Sequence, residues 1–258
     1  MVGDLLWRGM LVGVFASIIC FGFLKLAGEP PVDRAIAFEA QLEAAKAHAH
    51  AIAPHPDALA GSNPELVSRE IQAGLGLFAG IAVYSVALGG LFALAFALAY
   101  GRMGEFSPRA TAALLAGVGF FAVYVVPTLK YPPNPPSIGE AETIGVRTAL
   151  YFSMIALSLA AMIGAGMVRR RLQPRFGAWN AWLIAGAVYL VAMIVACVAL
   201  PVVNEVPNQF PADVLWRFRI ASIGAQLLLW TVLGLGFGVA AERVALSRSA
   251  LPAGISAN

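Results

Sequence analysis

Six runs of about 20 apolar residues constrain this chain more than any other feature: 5–27, 73–100, 110–129, 148–168, 179–200 and 220–241. A helix of that length crosses the roughly 30 Å hydrocarbon core of a bilayer. A helix also satisfies its own backbone polar groups, which lipid cannot do. The expected fold is an all-α integral membrane protein, a bundle of six transmembrane helices arranged as three hairpins. Composition agrees, because a chain that is 60% hydrophobic and 12% charged, with a mean hydropathy of +0.79, has too little polar surface to cover itself in water. The whole of 1–258 reads as a single membrane domain, and 28–72 as a partly helical extracytoplasmic segment within it. The first run is too long for a signal-peptide core and no A-x-A site closes it, so it is expected to be retained.

Arginine placement sets the expected orientation. With the amino terminus inside, the inner segments hold Arg8, Arg102, Arg109, Arg169, Arg170, Arg171, Arg175, Arg243 and Arg248 against Asp4, Glu105 and Glu242. That is nine bases against three acids, whereas the outer segments hold eight bases against eleven acids. Short positive loops stay in the cytoplasm, and RRRLQPR after the fourth run is the firmest marker. Both termini are therefore expected in the cytoplasm, with the chain a multi-pass protein of a bacterial inner membrane. An outer face of net −3 raises the local concentration of cations, although the positive-inside bias would by itself produce much of that asymmetry.

The connection from Lys130 to Thr148, KYPPNPPSIGEAETIGVRT, is richer than a plain loop requires. Pro132, Pro133, Pro135 and Pro136 fix φ and exclude helix around Asn134, so the chain leaves the third run extended and stiff. Ser137-Ile138-Gly139-Glu140 then has the pattern of a capping box that restarts a helix, which places Glu140, Glu142 and Arg147 in its first turns. Lys130, Tyr131 and Arg147 complete the motif. After the fifth run the pattern returns: Pro127 to Asn134 and Pro201 to Asn208 both read P-x5-P-N, and both lead to arginine, Arg147 in one case and Arg217 or Arg219 in the other. Asn204, Glu205 and Pro207 lie in the second copy. Two readings stay open: a rigid hairpin anchored by arginine at the water boundary, or a cation vestibule in which Glu142 and Glu205 replace part of an ion's hydration shell.

All three histidines, His48, His50 and His55, fall within eight residues of the first outer segment. There Asp33 can cap a helix after Pro30-Pro31, and the alanine-rich residues through Ile52 favour its continuation. His-x-His lacks the i, i+4 spacing of a helical metal pair, so these side chains read either as a solvated helix face or as a loose divalent-metal cluster. Cys20 and Cys197 both sit inside apolar runs, where a disulfide is not expected. Small residues at G-x-x-x-G spacing, Gly9/Gly13, Gly76/Gly80 and Gly234/Gly238, predict close helix packing. No run interior carries Asp, Glu, Lys, Arg or His, and no phosphate loop, zinc-protease, nucleophile-elbow or Cys-x-x-Cys motif is present. Nothing marks an enzyme, a nucleotide-driven motor or a nucleic-acid binder.

Three pieces carry a family resemblance: EPPVDRAIAFE after the first run, LKYPPNPPSIGEAETIGVRT after the third, and LPVVNEVPNQFPADVLWRFR after the fifth. In order and spacing the chain resembles the CbtA family of predicted cobalt transporter subunits over nearly its whole length. The resemblance implies transport of a divalent cation, Co²⁺, in cobalamin-producing bacteria. It also implies a small single-span companion subunit, CbtB, and no bound cofactor. The family has a denser histidine stretch than HAHAIAPHPD, and it is described with five spans where six are counted here. Imidazole and carboxylate suit Co²⁺, and they suit nickel and zinc as well. A second reading is a membrane scaffold or metal-delivery partner of a separate transporter.

Overall fold

The computed structural model describes residues 2–52, 67–102, 104–136, 138–139 and 141–249. Among these every regular element is a helix, with no strand. We number the helices α1 (Val2–Ala27), α2 (Glu29–Ile52), α3 (Arg69–Ala99), α4 (Pro108–Lys130), α5 (Ile144–Ala199) and α6 (Ala212–Ser249). All but α2 are long and apolar enough to cross a membrane.

Five such helices carry the six predicted crossings, because α5 is two helices joined at a sharp bend. Its 56 residues contain Pro174, which removes a helical donor, and Gly177 at φ +77, ψ +165, where glycine alone is unstrained. Beyond the bend the chain returns on itself. Ser158 and Tyr189 would lie about 46 Å apart along a straight helix, yet their hydroxyls are 2.8 Å apart. That bond contributes only ~0.6 kcal/mol by the average for such pairs. Packing therefore dominates the hairpin: Met154 and Ala165 on one arm meet Ala185, Tyr189, Met193 and Ala196 on the other.

The residues group into two compact units. The first comprises 1–117, 135–137 and 210–258, and the second 118–134 and 138–209. In the first unit α1 is the hub, packed on α3 and α6. A Cβ on Gly9 would overlap the Gly89 carbonyl oxygen, and one on Gly13 the Ser85 carbonyl oxygen. Backbone therefore touches backbone at this crossing, as the small-residue pattern predicted. The Gly234/Gly238 pair likewise lies against Ala112, Ala116 and the Arg109 backbone of α4. The Gly76/Gly80 pair does not mark a crossing: space around Gly80 is open and Gly76 faces its own helix. Ser85 and Gly89, five and nine residues after Gly80, supply that small face instead.

Partner numbers fall as α1 ascends: Val12 lies against Gly236, Cys20 Sγ against the Ala225 carbonyl, and Phe23 against Gly224. α1 and α6 are thus antiparallel, and so are α4 and α6 where Ala116 meets Gly234 and Arg109 meets Gly238. If α5 were one crossing, α4 and α6 would be parallel. The direction of the helices requires six.

Two π turns interrupt the spans, Gln72–Gly76 in α3 and Phe120–Val125 in α4. The second immediately precedes Pro127, whose ring would collide with the carbonyl four residues back in a regular helix; widening the turn relieves that. α2 begins at Glu29, with Pro30 and Pro31 in its first turn, where the missing donors cost nothing. Asp33 is consequently inside the helix rather than its cap. Val32 and Ala35 are buried, and Phe38 meets Phe210 edge to face at 5.2 Å, which seats α2 within the first unit.

A candidate transport mouth built on prolines

In the second unit the ends of α4 and α5 and the start of α5 come together, and the prolines decide how. Pro201 has no N–H, so the Cys197 carbonyl loses the donor that the next helical residue would provide. Lys130 Nζ supplies a replacement at 2.7 Å. A cation there also complements the negative end of the helix dipole. One residue on, the Tyr131 hydroxyl donates to the Pro201 carbonyl at 2.8 Å. Burial, with the Cys197 sulfur adding to it, pushes the Tyr131 phenol above its ordinary value of 10.0, so it remains a donor. Two bonds from adjacent residues of one motif copy thus fasten the exit of the other.

The arginine of the first copy is paired with the carboxylate of the second. Arg147 Nη1 lies 3.3 Å from Glu205 Oε2, with side-chain exposures of 28% and 15%. Gly139 sits directly on this pair: a Cβ there would overlap both the Arg147 guanidinium and the Glu205 carboxylate. Its φ of +109 also corrects the capping-box expectation. That motif needs Gly139 in helical conformation, and here it is not. The helix starts later, with a 3-10 turn at Ala141–Thr143 that leads into α5. Ser137 and Glu140 lie outside the described residues.

Of the remaining motif residues, Glu142 is exposed on that 3-10 turn. Asn204 Oδ1 accepts from the Val206 N–H at 3.4 Å, closing a local turn before Pro207. Pro132 and Pro136 are exposed, Pro133 and Asn134 half-buried, and Pro135 fully buried. Arg217 is exposed and Arg219 half-buried near the start of α6, in the first unit. His48 is exposed on α2 and His50 lies on the same helix, while His55 is outside the described residues. Among the described residues no three His, Cys, Asp or Glu side chains stand close enough to hold a metal ion.

The structure adds a clasp in the first unit. Arg69 Nη2 reaches Glu29 Oε2 at 2.6 Å and Asp33 Oδ1 at 2.8 Å. Lys25 Nζ donates to the Ala73 carbonyl inside the π turn of α3 at 3.0 Å. With Glu70, these groups line a cavity of about 480 Å³. The i, i+4 spacing of Glu29 and Asp33 on one helix face was the available signal; reading Asp33 as a cap obscured it. Both clasps follow one rule, in which the arginine opening a span holds an acid from a proline-flanked segment.

A model of the family described as probable cobalt transporter subunit (CbtA) matches residues 2–242 of the chain. No curated protein and no solved structure matches it.

Proposed function

The chain belongs to the CbtA family of probable cobalt transporter subunits, and from that premise we propose that it carries Co²⁺ inward across a bacterial inner membrane for cobalamin synthesis. The observation that carries this reading is the extent of the family match, which includes all six crossings. In the proposed orientation both termini face the cytoplasm, the proline-built mouth faces outward, and a small single-span protein completes the transporter. Glu142 is the proposed ligand at the mouth. Glu205, held by Arg147, sets its shape. The histidines of α2 and the segment after it concentrate the ion.

Energy coupling needs no nucleotide. Each charge gains about 2.3 kcal/mol per 100 mV, so a divalent ion entering a negative interior at roughly 150 mV gains about 7 kcal/mol. That corresponds to ~10⁵-fold accumulation at equilibrium. A second reading, a scaffold that hands metal to another transporter, is favoured by the pairing of Glu205 with Arg147 and by the neutral span interiors.

Cobalt accumulation by cells expressing the chain tests the proposal. Expression should raise uptake at low external cobalt, and replacing His48, His50 and His55 together by alanine should lower that uptake while sparing it at saturating metal. No rise above cells lacking the chain, with its partner present, would reject it.

A further inference from the structure

The hairpin of α5 leaves a groove of about 320 Å³ between its arms, toward the end that carries the bend. Gly164 and Val168 line one side, Val188 and Ala192 the other, and Arg171 closes one end. The positions 164, 168 and 171 fall on one helix face, as do 188 and 192. The groove is open because small residues, Ala161, Gly164 and Ala192 among them, stand where larger ones would fill it: a Cβ built on Gly164 meets nothing within 4 Å. Met167 at its edge is 55% exposed, so the groove opens outward rather than into the core.

Charge defines what fits. Arg169, Arg170, Arg171 and Arg175 fall within seven positions, and the 56 residues of α5 contain no aspartate or glutamate. Arg169 stacks over Trp182 at 4.2 Å, and Trp179 and Trp182 are largely exposed. Arginine and tryptophan together mark headgroup depth in a bilayer. Arg171 therefore stands where a lipid phosphate lies, with an acyl-chain-sized apolar channel running from it toward the bilayer centre. A transmembrane helix laid in the same groove would cover Arg171 and would have to bring its own acid; a lipid arrives with the anion in place.

The structure assigns this groove to one anionic phospholipid, its phosphate on Arg171 and an acyl chain between the arms. Basic pockets between membrane helices recognise acidic headgroups in this way.

Native mass spectrometry of the full chain in detergent tests the assignment, with palmitoyl-oleoyl phosphatidylglycerol and the matching phosphatidylethanolamine as probes. The wild-type chain should retain phosphatidylglycerol preferentially. Arg171→Gln should weaken that retention about five-fold, the effect expected of one arginine near an anionic surface. Gly164→Leu, which fills the groove with all charges intact, should abolish it, and Arg175→Gln should leave it within two-fold. Equal retention of the two lipids would overturn the assignment, as would equal losses from Arg171→Gln and Arg175→Gln, because the basic run would then act as a diffuse field. Unchanged retention in Gly164→Leu would overturn it too. Should Gly164→Leu not fold, the comparison of the two arginine variants, both at exposed positions, decides alone.

Discussion

Replacing Gly139 by alanine would place a methyl group on the Arg147–Glu205 pair and force an L-residue to φ +109. The conformation alone costs about 1–2 kcal/mol, and displacing the half-buried ion pair adds to that. Gly139→Ala should therefore lower the thermal midpoint in detergent by several degrees. Gly145→Ala, in the first turn of α5 and facing open space, should be neutral or slightly stabilising, as alanine is in any helix. Equal effects of the two would mean that the pair does not organise the mouth. The same pair separates the two acids. Glu142→Gln should reduce cobalt uptake with normal protein levels, whereas Glu205→Gln should reduce the amount of folded protein. A reversal of those outcomes would exchange the roles of ligand and brace.

At the scale of elements, close backbone approach is what holds α1 against α3. Gly13→Ala pushes a methyl into the Ser85 carbonyl, which is backbone and cannot swing aside, so it should destabilise by about 1–3 kcal/mol. Gly80→Ala, in open space on α3, should not destabilise, and thermal melts of the two variants side by side check the contrast. The sequence made the six spans legible because apolar length is a one-dimensional property that the bilayer imposes. It marked the right glycines at Gly9, Gly13, Gly234 and Gly238 but the wrong pair on the second span, since spacing says that two small residues share a face and not that a neighbour covers it. The proline motif was legible as a rigid element. Its partners were not, because Lys130 meets Cys197 and Arg147 meets Glu205 across more than fifty residues of chain, and nothing local encodes such a pairing. Gly139 defeated the capping-box reading in the same way: its positive φ answers to the ion pair above it rather than to its neighbours in sequence.

At the scale of the whole chain there are six crossings, and because α1 and α6 run antiparallel the start of α1 and the end of α6 lie on one side of the membrane. In the proposed orientation that side is the cytoplasm, as the arginine distribution leads one to expect. In a background lacking Cys20 and Cys197, a cysteine at Ser62 should react with an impermeant reagent in intact cells and one at Gln173 should not; the reverse pattern would invert the account of the mouth. Conduction of Co²⁺ by the chain is tested by accumulation of radioactive cobalt in sealed vesicles containing the purified chain together with the proposed single-span partner, under an imposed potassium-diffusion potential, negative inside. Uptake should rise with the potential and be lost in Glu142→Gln. Cobalt uptake no greater than in protein-free vesicles at every potential would contradict it.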